Sequence, residues 1–193
     1  MTRPTTILAC VLLACLPRPG SALQLDLATL SCAGYHQVIL NAESPVPHPD
    51  SIDLVMWLLG YSVANSGAHV MYSDALASFG FALDAECFDR PASSLLTAIG
   101  RVRPRNTTPL DLTALSCREF EERHAKLRQS DPESADTIMN WLRGFATARA
   151  GSTVLDTGGL RDFEDALSKV CEANGQESLY DALNATGAVR GPP

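Results

Sequence analysis

LDLTALSC at residues 110–117 repeats LDLATLSC at residues 25–32, with six of eight positions identical. The likeness continues downstream: WLLGY at 57–61 returns as WLRGF at 141–145, Cys87 as Cys171, and SLLTAI at 94–99 as SLYDAL at 178–183. The offset is 85 residues at the first cysteine and 84 afterwards, so one residue has been lost between the first two landmarks. The chain reads as one unit of roughly 75 to 80 residues written twice, since self-similarity at a fixed period marks repeated structure.

A unit of that size buries a small fraction of its surface and is only marginally stable without a staple. Cysteines can supply one. Two fall at equivalent places in each unit, Cys32 and Cys87 in the first, Cys117 and Cys171 in the second, and none lies in a CxxC pair. Of the three connectivities open to four cysteines, Cys32 with Cys87 and Cys117 with Cys171 is the most economical. Zinc binding is the rival and is disfavoured by the wide spacing and scattered histidines. A redox role has no motif behind it.

The composition, 46% apolar and 19% charged, is that of a globular protein rather than a disordered or membrane one. A net charge of -7 argues against nucleic acid as a partner. Residues 1–22 begin with Arg3, continue as the apolar run TILACVLLACL, and end in a Pro-Gly break and the small pair Ser21-Ala22. The run is short for a bilayer span. This three-part pattern reads as a secretory signal cut after Ala22, and it implies an oxidising compartment where disulfides persist. Leu12-Leu13-Ala14-Cys15 loosely resembles a lipoprotein processing site, which would add a membrane anchor at Cys15.

Four helices are predicted in each unit. In the first, a helix capped by Thr29 or Ser31 carries Cys32, Tyr35 and Ile39, and NAESPVPHPD breaks it. Pro49 and Asp50 open the second helix, over 50–64, closed by Gly67. The third, over 73–90, is capped by Ser73 or Asp74, carries Leu76, Phe79, Leu83 and Cys87, and stops at Pro91. A short fourth spans 93–99. The second unit repeats the pattern at about 116–128, 133–149, 157–174 and 177–188, and no period-two run suggests a strand. The expected organisation is all-α: signal peptide 1–22, first unit 23–100, linker 101–109, second unit 110–188 and tail 189–193, two small four-helix domains each holding one internal disulfide.

The second helix of each unit is informative because the copies differ there. Leu54, Trp57, Leu58 and Tyr61 in the first, and Ile138, Trp141, Leu142 and Phe145 in the second, recur at i, i+3, i+4, i+7, which marks Trp57, Tyr61, Trp141 and Phe145 as core. Gly60 and Gly144 interrupt these helices at a cost of about 1 kcal/mol, which points to close approach of another backbone. A second stripe, Ile52, Met56, Leu59 and Val63, is apolar only in the first unit. Its equivalents are Asp136, Asn140, Arg143 and Thr147, which read as a solvated face. The apolar stripe is therefore the candidate surface for the second unit, another copy or a client protein, the alternative being a larger core in the first unit.

A cysteine in a capped first helix, a W-x-x-G-[YF] helix, an apolar third helix ending in cysteine and a short S-L helix together resemble the HdeA family of periplasmic acid-stress chaperones. The second unit is the more similar, through TVLDTGGL at 153–160 and VCEANGQESLYDAL at 170–183. The resemblance implies a small helical domain with one disulfide joining its first and third helices. It also implies a dimer near neutral pH that dissociates in acid and holds unfolding periplasmic proteins in solution without ATP. Carrying two units, this chain would build its dimer internally. Its first unit has few bases to be repelled in acid, only Arg90 with His36, His48 and His69.

No serine elbow, phosphate loop or HExxH motif is present, and His36, His48, His69 and His124 do not recur between units and read as surface side chains. Asp26 and Asp111 do recur and read as capping or turn residues. No enzyme activity, cofactor or metal is expected. The expected partners are unfolded or acid-denatured proteins, or a second copy of the chain, with an interaction module of the same fold as the alternative to a chaperone.

Overall fold

The computed structural model describes residues 24–40, 51–72, 75–102, 109–156 and 158–189. The signal sequence, Cys15, the NAESPVPHPD break, the Pro49–Asp50 helix start and most of the linker and tail lie outside the described residues; so do Ser73 and Asp74, but the third helix begins later than expected, at Leu76, with Ala75 and not Ser73 or Asp74 at its N-cap position.

In chain order the first unit contributes β1 (Gln24–Asp26), α1 (Cys32–Leu40), α2 (Ser51–Asn65), β2 (Val70–Tyr72), α3 (Leu76–Asp89) and α4 (Leu95–Arg101). The second contributes β3 (Pro109–Asp111), α5 (Cys117–Ser130), α6 (Pro132–Arg149), β4 (Val154–Asp156), α7 (Leu160–Ala173) and α8 (Leu179–Val189). Local chemistry sets the helix starts. Ser31 Oγ accepts from the Gly34 N–H at 3.1 Å. In the second unit Ser116 and Glu119 form a reciprocal capping box, and Asp131 caps α6 with Pro132 in its first turn. The turn after α2 closes through Gly67 at φ 78°, a left-handed conformation that suits glycine.

The four strands were not expected. Each has three residues, too few for a period-two pattern, and each pairs with a strand of the other unit. β1 runs antiparallel to β4 with Leu25 opposite Leu155, and β2 antiparallel to β3 with Met71 opposite Leu110. The Leu27 N–H extends the first pairing to the Thr153 carbonyl (2.9 Å), and the Leu112 N–H extends the second to the His69 carbonyl (3.0 Å). The two pairings are reciprocal: the start of each unit is tied to the segment after the second helix of the other.

Between these ribbons, α2 packs on α6 in the most extensive helix–helix contact of the fold. Gly60 and Gly144 are the reason the helices come so close. A Cβ at Gly60 would overlap the Trp141 carbonyl oxygen, and one at Gly144 the Trp57 carbonyl oxygen. Trp57, Leu58, Trp141, Leu142 and Phe145 are buried around this crossing, and one apolar cluster continues through both units. Trp57 stacks on Tyr61 and Trp141 on Phe145, with centroids 5.4 and 5.5 Å apart. Outside the crossing, disulfides join Cys32 on α1 to Cys87 on α3 and Cys117 on α5 to Cys171 on α7, with Cα atoms 4.8 and 5.0 Å apart.

Candidate interaction surfaces

The apolar stripe of α2 is not on the surface of the closed chain. Met56, Leu59 and Val63 are buried, and only Ile52, half exposed, reaches solvent. The helix is covered on this side because the first unit's own core and the second unit's α6 enclose it. The equivalent face of α6 also departs from its solvated reading: Asn140 and Arg143 are buried. Arg143 lines a cavity of about 320 Å³ at the junction of the units with Trp57, Thr147, Ser152 and Phe163. Its Nη2 lies so near Gly159 that a Cβ there would come within 3.1 Å of it. Sequence spacing placed both stripes on a helix face correctly but could not reveal that the two helices enclose one another.

A carboxylate stands at each edge of this junction. Asp26, at the end of β1, accepts from the Thr153 hydroxyl of the second unit at 2.6 Å and from the Ala28 N–H at 3.0 Å. At the equivalent position of the second unit, Asp111 accepts from the Thr113 hydroxyl and N–H, both at 2.8 Å, and stands 3.9 Å from His69 Nε2 of the first. The Thr153 hydrogen bond is the main cause that holds the Asp26 carboxyl below its ordinary value, helped by the Ala28 N–H. For Asp111 the Thr113 hydroxyl and N–H come first and the charge of His69 adds to them. The turn role read from sequence is present in the Ala28 and Thr113 contacts. The reach into the other unit is a tertiary feature with no local signal.

Among the histidines, His124 departs from the surface reading. It is buried on α5, stacked on Phe120, with Nε2 3.4 Å from the Ala135 carbonyl. His36 and His69 are partly exposed, and His48 lies outside the described residues. Among the described residues no group of three His, Cys, Asp or Glu side chains is placed to hold a metal ion, and no helix is long and apolar enough to cross a membrane.

The exposed apolar surface is elsewhere. Phe81 and Phe88 on α3 are 77% and 80% exposed. They are seven residues apart and share a helix face with Ala77 and Ala85, also exposed, while Phe79, Leu83 and Cys87 occupy the buried face. In α7 the equivalent positions are Arg161, Asp165, Lys169 and Glu172, an ordinary solvated face. Comparing the two copies of the third helix would have found this stripe, since it is apolar in one unit and charged in the other.

No curated protein and no solved structure matches the chain. Residues 100–181, which hold the capping box, the Trp141–Phe145 helix and the Cys117–Cys171 disulfide, match the family model described as the HdeA/HdeB family, and over this second unit the chain is similar to that family.

Proposed function

We propose that the chain is an exported, ATP-independent acid-stress holdase built from two HdeA-like units. Its closed junction would open in acid and present the apolar lining of α2, Met56, Leu59 and Val63, together with Trp57 and Trp141, to unfolding proteins of the periplasm. The observation that carries this reading is the junction itself, an apolar helix pair with Asp26 hydrogen-bonded across one edge to Thr153 and Asp111 standing 3.9 Å from His69 at the other. Both carboxyls titrate below their ordinary value in the closed form. Their contribution is therefore present above the ordinary carboxylate range and is lost as the pH falls through the lowered folded values. Protonation also removes the net negative charge and leaves the bases to repel, mostly within the second unit. The disulfides would keep the first and third helices of each unit together while the units part.

The family match over residues 100–181 supports the reading in kind. The apolar run and small-residue break of residues 1–22 support export. The test is client aggregation followed by light scattering at a pH of about 2 to 3, below the carboxylate range. Suppression by a stoichiometric amount of the protein without ATP is expected, and a soluble protein that leaves aggregation unchanged would overturn the proposal.

A second reading, a non-chaperone interaction module outside the cytoplasm, is favoured by one observation: Phe81 and Phe88 are exposed while the junction is closed. It expects a partner bound at neutral pH.

A further inference from the structure

The exposed face of α3 is a built surface rather than a scatter of side chains. On a helical projection Ala77, Phe81, Ala85 and Phe88 form its centre, with Asp84 along one edge and Asp89 along the other. Beside Phe81 runs an open groove of about 670 Å³, lined by Ser78, Ala82, Ala85, Glu86, Arg101 and Val102. Among the described residues the two nearby arginines are committed: Arg90 and Arg101 both donate to Glu86, at 2.6 and 3.0 Å. That leaves Asp84 and Asp89 as the carboxylates facing outward at the edges, with His36 Nε2 3.9 Å from Asp84. Residues 23–100 contain eight acids and Arg90 as the one Lys or Arg, and Arg101, which follows them, is the Glu86 partner already named.

Two occupants can be compared on these grounds. A second copy of the chain would set acidic edges against acidic edges whichever way two such faces were turned, and like charges in contact oppose association. It would also gain little area. The two phenylalanines together offer on the order of 300 Å², against about 800 Å² per partner in a standard stable interface. A short amphipathic segment would set apolar anchors at helical spacing on Phe81 and Phe88 and along the groove beside Phe81, and basic residues flanking its apolar side would meet Asp84 and Asp89. We infer that the Phe81–Phe88 face of α3 docks a cationic amphipathic segment of a partner protein at neutral pH. The inference rests on the interaction-module reading and not on the acid-holdase one, so it succeeds or fails without reference to aggregation in acid.

The experiment uses the full chain at neutral pH and fluorescence anisotropy of a labelled Leu/Lys amphipathic peptide about 18 residues long, five helical turns. A Leu/Glu peptide of the same pattern is the charge control. The double variant Phe81→Asp/Phe88→Glu installs the residues that α7 carries at the equivalent positions. Wild-type protein is expected to bind the Leu/Lys peptide and not the Leu/Glu one. The double variant should bind at least about tenfold more weakly, roughly 1.4 kcal/mol, and Asp84→Asn/Asp89→Asn should also weaken binding while leaving the apolar centre and the circular dichroism spectrum unchanged. Because the phenylalanine variant is more acidic than wild type, non-specific attraction to the peptide would strengthen rather than weaken. Equal binding by wild type and both variants, equal binding of the two peptides, or a dimer of the chain that Phe81→Asp/Phe88→Glu dissolves in sedimentation equilibrium would each overturn the inference.

Discussion

Asp26 of the first unit accepts a 2.6 Å hydrogen bond from the hydroxyl of Thr153 in the second, at the end of a two-stranded ribbon whose partners come from opposite halves of the chain. Its carboxyl titrates below the ordinary value because that bond favours the charged form. Replacing Asp26 and Asp111 together by Asn is expected to weaken the closed form at neutral pH. The difference from wild type should shrink as the pH falls below about 4 and vanish once the native carboxyls are protonated. Urea unfolding followed by tryptophan emission over a pH series measures this, since Trp57 and Trp141 sit at the helix crossing. A wild-type–variant gap that stays constant down to strong acid would exclude the carboxylates from the trigger.

Gly60 and Gly144 set the distance between α2 and α6, each lying against the backbone of the opposing tryptophan. Alanine at either position gains about 1 kcal/mol in helix propensity. That gain is opposed by overlap with a carbonyl, which cannot rotate away as a side-chain tip would. Gly60→Ala is expected to destabilise the chain by on the order of 3 kcal/mol net, read as a lower urea midpoint. Gly67→Ala is a control of another kind, since its cost comes from a positive φ and not from contact with a neighbour.

The helices were legible from spacing and punctuation, and α6, read as 133–149, begins one residue earlier at Pro132 because Asp131 caps it. Close approach at Gly60 and Gly144 was legible too, because a mid-helix glycine needs a reason. Three features were not. The ribbons have strands of three residues whose partners lie far along the chain. Burial of Met56, Leu59 and Val63 depends on what covers α2, and periodicity reports a face without reporting its neighbour. Phe81 and Phe88 sit among Phe79, Leu83 and Cys87, so α3 reads as apolar on both sides, and only the charged equivalents in α7 separate the exposed stripe from the core.

Leu59 and Ile52 share the α2 stripe but differ in surroundings, fully buried against half exposed. Leu59→Asp would place a carboxylate in the apolar cluster and is expected to cost on the order of 4 kcal/mol or more, enough to open the fold. Ile52→Asp should cost less than about 1 kcal/mol. Thermal unfolding of the two variants distinguishes them. Any loss of client or partner binding in Leu59→Asp at neutral pH therefore reports the opened fold, whereas Ile52→Asp reports the one part of the stripe that a partner can touch in the closed form.

Each disulfide closes a loop of about 55 residues within one unit, with sequence separations of 55 and 54. On the chain-entropy model each stabilises the fold by about 4 kcal/mol, a large share of the marginal stability of a folded protein. The two should not be equivalent in acid. The second unit carries eight Lys and Arg residues between 110 and 184, against Arg90 alone between 23 and 100, so charge repulsion at low pH strains the second unit more. Cys117→Ser/Cys171→Ser is therefore expected to lose helical circular dichroism at a higher pH than Cys32→Ser/Cys87→Ser does during acid titration. At neutral pH, where the carboxylates offset the bases, the two variants should lose similar amounts of stability in urea. If the first-unit variant collapses at the higher pH instead, the difference lies in the packing of the units and not in their charge.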